Sequence, residues 1–245
     1  MTDSSVQLTP EEVEKYDITV VPLTITIDGK SYVDVIKKLT ADGSQVIGIF
    51  LAKSLSGTID AARQAAEIAG QSDNVTIIDS ELTDRAEGFQ VLAAAKDAQA
   101  GKSMAGIIDH VKKIRSTQKL EMMVVNLQNL IKGGRLGALS GRIATMLNIR
   151  IALQMPQGKL IVAKKGRGKK FTRAFDERVL KEIADNKEHI KEVGISYVDT
   201  PELMEELAEK IRAINPAINV LVAETSPIIA THAGNGAYAI LYYVE

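Results

Sequence analysis

Four short stretches of this sequence place chemically useful residue types close together. The first is Ser54-Leu55-Ser56-Gly57-Thr58, which follows an apolar run and precedes an Ala/Ile-rich face at helical spacing. It therefore reads as a strand-to-helix turn, the place where ligands of open α/β sheets bind. The free N–H groups of a helix start, with the positive end of its dipole, favour an anion. Three hydroxyls and a glycine add donors and permit close backbone approach. The same residues also suit a plain helix cap, with Ser56 or Thr58 as the capping side chain. Neither a Walker A loop nor a G-x-G-x-x-G fingerprint is present in this turn, so it gives no support to nucleotide binding.

The second stretch is Lys132-Gly133-Gly134-Arg135-Leu136. Its glycines end a short helix expected over Leu127 to Ile131, leaving Arg135 on a constrained loop. Such an arginine can fork onto a carboxylate or phosphate, or simply be a solvated residue beyond a helix cap. The third is Thr231-His232-Ala233-Gly234-Asn235-Gly236, before the last expected strand. His110 and His189 sit among charged residues and read as surface positions, whereas His232 is flanked by small residues that would admit a ligand. It can donate to a carboxylate or acyl phosphate, or be a structural histidine bonded to backbone. The fourth is the run from Lys164 to Lys170, five positive charges in seven residues. An RNA, a membrane surface, an acidic protein partner and plain solvent all suit it. Apart from Phe171 it lacks the interleaved aromatics that stack on bases.

The elements that must position these groups follow from periodicity. Short β-branched or apolar runs at Ile18 to Ile27 (ending in an Asp28-Gly29 turn), Gln45 to Ala52, Asn74 to Asp79 and Leu120 to Val125 alternate with helical patterns. The helical patterns cover Thr58 to Ala69, Ala86 to Ala100 and Met104 to Arg115. This alternation predicts an N-terminal parallel sheet flanked by helices. After Asn148 the pattern changes to an expected hairpin, Ile149 to Met155 and Lys159 to Ala163 around Pro156-Gln157-Gly158, followed by a basic loop. A helix over Phe171 to Ala184, strands at Glu192 to Val198 and Asn219 to Ala223 around a helix at Glu202 to Ile214, and a last strand at Tyr238 to Val244 complete it. The expectation is an α/β protein of two domains, 1–147 and 148–245, the second with a mixed or antiparallel sheet.

Hydrophobic residues make up 45% of the chain and charged residues 25%, enough apolar material for one large domain or two modest cores. A formal charge of -1 leaves no global nucleic-acid or membrane footprint. The absence of cysteine excludes disulfides, thiolate metal sites and cysteine nucleophiles, and fits a reducing cytoplasm. A polar start, Met1-Thr2-Asp3-Ser4, and the lack of any apolar run near the ~20 residues of a membrane span point to a soluble intracellular chain.

Taken in order, Thr2-Asp3-Ser4, Val20-Val21-Pro22-Leu23, Leu55-Ser56-Gly57-Thr58, Ile78-Asp79-Ser80, Lys132-Gly133-Gly134-Arg135, Lys165 to Lys170 and Thr231-His232-Ala233-Gly234 resemble the DegV family across the whole chain. The resemblance implies a bacterial two-domain α/β protein that holds a long-chain fatty acid between or beside its domains. It also implies a lipid-carrying subunit whose bound carboxylate a separate ATP-dependent kinase converts to an acyl phosphate for phospholipid synthesis. On that resemblance Ser56, Gly57 and Thr58 hold the carboxylate and Arg135 and His232 serve the head group. Lys165, Arg167 and Lys169 are then candidates for kinase docking. No cofactor, metal, catalytic residue, nucleic-acid partner or integral membrane association is expected. Met122, Met123, Met146 and Met155 can line an adaptable tunnel or fill core gaps.

The sequence departs from the family at three places. The family carries an apolar strand before Thr-Asp-Ser, so the first strand here is expected to be short or missing. Between Tyr32-Val33-Asp34 and Ala41-Asp42-Gly43 the family has a longer segment with a Thr-Ser-Gln-Pro motif, one of whose hydroxyls also grips the carboxylate. Only Val35 to Thr40 stands in that place, and none of these residues is assigned that role. Arg150-Ile151 replaces a frequent Lys-Pro. Two rival classes remain: a stand-alone phosphotransferase using Asp3, Asp79 or Glu81, and a regulatory module acting on nucleic acid or protein through 164–170. Charge reversal at Lys165 and Arg167 separates the uses of the basic run. Salt-dependent RNA binding is lost if the run meets nucleic acid, whereas lipid binding survives and kinase coupling falls if it docks a protein.

Overall fold

The computed structural model describes residues 1–23, 30–135 and 148–245. The chain forms two compact units, Met1–Arg115 and Ser116–Glu245.

In the first unit β1 (Thr2–Asp3) pairs in parallel with β2 (Val20–Val21), and β3 (Val46–Phe50) pairs in parallel with β4 (Val75–Asp79). Met1 joins the two ladders: its nitrogen donates to the Ile47 carbonyl at 3.0 Å and its carbonyl accepts from the Ile49 N–H at 3.0 Å. The strands therefore lie in the order β2-β1-β3-β4. Successive residues of a strand point to opposite faces, and β3 shows the result. Phe50 packs with Val21, Ile36, Ile59 and Ala62, under α2 (Lys30–Leu39) and α3 (Thr58–Ile68). Ile49 packs on the other face with Ile18, Val91, Leu92, Ile107 and Val111, under α4 (Asp84–Gln99) and α5 (Met104–Thr117). Part of the expected strand over Ile18 to Ile27, with the Asp28-Gly29 turn, lies outside the described residues.

Helix α1 (Pro10–Lys15) starts at a capping box, with Thr9 accepting from the Glu12 N–H and Glu12 accepting from the Thr9 N–H. Proline at its first position has no N–H to lose. The Glu12 carboxylate also takes both arms of Arg85, at 2.6 and 2.7 Å, although Arg85 is only 1% exposed. A fully buried guanidinium needs such a partner, because an unpaired buried charge is strongly destabilising. The pair thus ties α1 to α4. Close approach continues at Gly88, where a Cβ would stand 2.8 Å from the Gln7 carbonyl oxygen.

The second unit is built on one sheet in the order β7-β6-β5-β10-β8-β9. Its strands are β5 (Gln118–Val124), β6 (Ile149–Gln154), β7 (Ile161–Arg167), β8 (Glu192–Tyr197), β9 (Asn219–Glu224) and β10 (Tyr238–Tyr243). All neighbours are antiparallel except β8 and β9. Helices α7 (Gly168–Asp185) and α8 (Pro201–Ile214) cover one face around Phe175, Val179, Ile195, Leu207, Ile211 and Ile240. Helices α6 (Gln128–Lys132) and α9 (Pro227–Ala233) contribute to the core on the other face, with Leu130, Ile151, Leu153 and Ala233. Glu121, 2% exposed in the middle of this sheet, is neutralised by Arg178 of α7.

The mixed α/β class is as the sequence predicts. The boundary expected near residue 147 falls outside the described residues, while the chain divides into its two compact units between Arg115 and Ser116. The strand expected over Leu120 to Val125 is β5, and its place is set by its partners: antiparallel pairing with β10 and β6 makes it part of the second unit's sheet. The basic run differs from the expected loop. Lys164, Lys165 and Arg167 lie on β7 because the ladder with β6 continues to the Ile149–Arg167 pair, and Lys169 and Lys170 lie in the first turn of α7.

Behind β1 sits a buried carboxyl pair. Asp3 accepts from the Ser5 N–H at 2.9 Å and the Leu51 N–H at 3.0 Å. Glu87 accepts from the Thr2 hydroxyl at 2.9 Å and the Ser5 hydroxyl at 3.2 Å. Burial, followed by the Asp3 charge, pushes the Glu87 carboxyl well above the usual 4.5, and burial also raises Asp3. Folded Glu87 keeps a proton over a range where unfolded glutamate is ionised, so stability falls as pH rises above 4.5 through the raised value. Glu87→Gln, which mimics the neutral acid, is expected to flatten the decline of melting temperature as pH rises above the usual glutamate range. Equal slopes for the two proteins would show that Glu87 does not hold this proton.

Candidate functional site

In the first unit the Ser54–Thr58 turn leaves the carboxyl end of β3 and enters α3. Two acidic residues at strand ends fix its course. Asp3, closing β1, receives the Leu51 N–H at 3.0 Å. Asp79, closing β4, receives the Glu81 N–H at 2.8 Å and the Lys53 N–H at 3.3 Å. The Ala52 N–H donates to the Leu82 carbonyl at 2.7 Å, so successive residues entering the turn are tied to the end of β1, to the end of β4 or to the segment that follows β4.

Within the turn, the Ser56 and Thr58 hydroxyl oxygens lie 2.8 Å apart and the Thr58 N–H donates to Ser56 Oγ at 3.3 Å. Thr58 is buried, Ser56 half-buried and Gly57 exposed. Either hydroxyl can donate in this pair; when Thr58 donates, the Ser56 proton is free to serve a further acceptor. The Gly57 N–H has no acceptor among the described residues. A Cβ at Gly57 would meet nothing within 4 Å, so the backbone here is open to a visitor. These features together make a small anion-accepting edge at the N-terminus of an 11-residue helix. Ser56 does not cap α3 with its side chain: Gly57 is the capping residue, and it makes no side-chain bond.

In the second unit the other two predicted residues come together. Helix α6 ends at Gly133, and Gly134 turns the chain with φ 72. Arg135, exposed, folds back and donates to the Gly133 carbonyl at 2.6 Å. His232 occupies the last turn of α9 and lays its ring against Gly133: a Cβ there would stand 2.3 Å from His232 Nδ1. The Asn129 side chain donates to the Thr231 carbonyl at 3.0 Å and holds the two short helices together. Gly234, with φ 78, lets the chain leave α9 close to the Asn129 side chain. Half-burial, with the nearby Arg135 charge, holds His232 below the usual 6.5, so the imidazole is neutral near pH 7. A neutral N–H donor beside a guanidinium suits a carboxylate, whose arrival would favour protonation of the ring.

The remaining candidates have other engagements. Asp3 and Asp79 serve backbone N–H groups, as above, and Glu81 pairs with Arg115 at 3.4 Å. Thr40, in the shortened segment, donates its hydroxyl to the Ile36 carbonyl at 2.9 Å. His110 pairs with Asp97 at 2.7 Å and His189 is exposed. Lys164, Lys165, Arg167, Lys169 and Lys170 are all exposed, and Phe171 packs over Gly166 at the corner between β7 and α7, where a Cβ would stand 2.2 Å from its ring. Met123 and Met155 are buried, Met123 in the core under α7 and α8, and Met146 lies outside the described residues, as does Leu136. Sequence reasoning named the Asp3 and Asp79 motifs without their clamping role. An acidic residue closing each of two strands that flank the turn's own strand was the available signal.

Among the described residues no three His, Asp or Glu side chains are grouped to hold a metal ion, and no helix is long and apolar enough to cross a membrane.

A parallel α/β unit with a hydroxyl-rich strand-to-helix turn, followed in the chain by a mixed-sheet α/β unit in which Arg135 and His232 lie near each other, defines a two-unit α/β protein. The chain belongs to the DegV family, whose profile matches residues 1–40 and 33–245. The DegV domain-containing protein spr1019 of Streptococcus pneumoniae is 35% identical over 274 residues, covering 98% of this chain and 96% of that protein. Among solved structures, the DegV family protein Cg2579 of Corynebacterium glutamicum is 22% identical, covers 99% of this chain and 96% of that one, and has a TM-score of 0.88. DegV of Bacillus subtilis, described as a fatty acid binding protein, is 24% identical, covers 100% and 98%, and has a TM-score of 0.86. The profile match breaks in the overlap at residues 33–40, and the pneumococcal alignment is longer than the 245 residues of this chain. Relatives therefore carry residues that this chain lacks, and α2 runs through the break as one helix, Lys30–Leu39.

The packing of His232 on Gly133 gives a direct test. Gly133→Ala, harmless to an ordinary helix end, is expected here to displace the imidazole and cost ~1–3 kcal/mol through overpacking. Thermal denaturation and the chemical shifts of the His232 ring report both effects. An unchanged ring with improved stability would show that the two do not touch.

Proposed function

We propose that this chain binds a long-chain fatty acid and presents its carboxylate to a separate ATP-dependent kinase subunit, which forms the acyl phosphate. The observation that carries the reading is the clamped Ser56-Gly57-Thr58 turn, where two paired hydroxyls and a Gly57 N–H with no acceptor among the described residues meet at a helix start. Ser56, Gly57 and Thr58 receive the carboxylate, and Arg135 and His232 serve the head group. Family membership supports the lipid, since the Bacillus subtilis relative of the same fold is described as binding fatty acid. The chain supplies binding and orientation, and the kinase supplies the phosphoryl chemistry in the cytoplasm. Lys165, Arg167 and Lys169, exposed along β7 and the start of α7, are the proposed docking surface for that kinase.

The energetics are adequate without a catalytic apparatus. Buried methylenes contribute ~0.8 kcal/mol each, so an acyl chain of ~16 carbons offers on the order of 10 kcal/mol before the costs of association. Head-group contacts then need only orient the carboxylate and offset its desolvation.

Native mass spectrometry of the gently purified chain, with lipid extraction, tests the proposal. A bound mass of ~250–285 Da is expected, that of a C16–C18 fatty acid whose methylenes supply most of the affinity. Ser56→Ala and His232→Ala are each expected to weaken binding about tenfold or more, the usual worth of a hydrogen bond to a charged group. A chain that carries no lipid and also refuses added oleate and palmitate would retire the ligand and leave the fold intact.

A further inference from the structure

The six-stranded sheet of the second unit ends in two unlike edges. β7 closes one side and carries Lys164, Lys165 and Arg167, charges that oppose pairing with another strand. β9 closes the other side. Its interior, Val220-Leu221-Val222-Ala223, has no charge and no proline, and it keeps an unbroken register against β8. Natural sheets guard their edges with charges, prolines or bulges, and an unguarded edge is where another strand adds.

Which main-chain groups face outward follows from the ladder. Asn219 donates its N–H to the Lys191 carbonyl and Thr225 donates to the Tyr197 carbonyl, both at 2.9 Å. Alternate residues of a strand bond to alternate sides. Asn219, Leu221, Ala223 and Thr225 therefore face β8, and Val220, Val222 and Glu224 turn their N–H and C=O groups away from it. Arg212 of α8 reaches that outer side, where its Nη2 donates to the Val220 carbonyl at 3.3 Å. Val220 and Val222 pack on the core under α7 and α8, so Glu224, two residues on and exposed, stands on the same face. The outward set is symmetric about Val222. A copy of β9 laid antiparallel about a two-fold axis there places Val222 opposite Val222 and Val220 opposite Glu224. Each of these pairs exchanges both main-chain bonds. The two valines meet at the axis as a β-branched cross-strand pair. Glu224 of one copy arrives opposite Val220 of the other, where Arg212 already points, so each end closes with a carboxylate beside a guanidinium. Arg212 holds Glu209 with Nη1 at 2.6 Å, and it is Nη2 that lies at the edge.

We propose that β9 pairs with β9 of a second copy of this chain, antiparallel about a two-fold axis at Val222. The product is a reversible homodimer with one sheet running through both copies. The contact is one short strand wide, below the ~1,600 Å² of a standard stable interface, so its affinity is expected to be roughly micromolar. This interface stands or falls independently of the proposed lipid site.

The test is sedimentation of the whole chain over a concentration series, with amide hydrogen exchange read residue by residue. A reversible monomer–dimer equilibrium is expected, with exchange at the Val222 amide about tenfold or more slower in the dimer. Val222→Pro removes an N–H that β8 does not use, and is expected to fold and to stay monomeric. Glu224→Lys, which sets a second cation beside Arg212, is expected to weaken the dimer about tenfold. Because the chain has no cysteine, Val222→Cys marks the axis directly. Facing Cα atoms in such a pair lie ~5.5 Å apart, within disulfide reach, so mild oxidation is expected to cross-link the dimer. Ile68→Cys, at an exposed position of α3, is the control and is expected to cross-link far less. A chain that stays monomeric at the highest soluble concentration would overturn the proposal. So would a dimer that Val222→Pro and Glu224→Lys leave intact, or equal cross-linking of the two cysteine variants.

Discussion

The first unit depends on one buried carboxylate. Asp3 has no ion-pair partner among the described residues, and desolvation works against its ionised form. It is retained because its two oxygens satisfy the N–H groups of Ser5 and Leu51, which would otherwise be left without acceptors where β1 and β3 end. That single group fixes the exit of β3 and therefore the start of the Ser54–Thr58 turn. Asp79 repeats the device from β4, taking the N–H of Lys53. With Leu51 and Lys53 held by carboxylates and Ala52 by the Leu82 carbonyl, the course of the turn is set by the protein's own contacts. The proposed ligand would therefore not have to order it.

The cost of this arrangement appears one layer deeper. Placing Asp3 at the centre of the unit brings it near Glu87, and two buried carboxylates do not both ionise easily. Thr2 and Ser5 hold Glu87 with hydroxyls, which donate to a carboxylate and can equally accept from a carboxylic acid. The Thr-Asp-Ser stretch of the N-terminus thus serves both acids at once. Arg85, two residues before Glu87, turns the other way and is held by Glu12, so its charge neutralises α1 rather than the acid pair. One short segment of α4 therefore carries a charged and a neutralised solution to burial side by side.

The second unit reaches an anion-friendly geometry by different means. Gly133 removes bulk rather than adding freedom: it is helical in conformation, and its missing side chain is what admits the His232 ring. Gly166 does the same for Phe171 at the start of α7, which gives the basic run an ordered strand and helix end in place of a loop. Exposed lysines on an edge strand also discourage edge-to-edge pairing with another sheet, so the charge of β7 has a use in solubility whatever else it meets.

The periodicity of the sequence determined most elements within a few residues, because strand and helix spacing are local properties of the chain. It also determined the candidate groups: Ser56, Gly57, Thr58, Arg135 and His232 stand out by type and by their small, flexible neighbours. Strand partnership was decided only by the tertiary structure. Leu120 to Val125 has the composition of a buried parallel strand, yet it pairs antiparallel with β10 and β6, and nothing within seven residues encodes a partner more than a hundred positions away. The same holds for the roles of Asp3 and Asp79. Their type marks them as hydrogen-bond acceptors, but which N–H groups they receive depends on strands β1, β3 and β4 lying side by side. Likewise the contact between Gly133 and His232, a hundred residues apart in the chain, exists because β5 and β10 are neighbours in the sheet and bring α6 and α9 together. Local chemistry is written in the residues, and its geometry is supplied by long-range pairing that depends on the whole core.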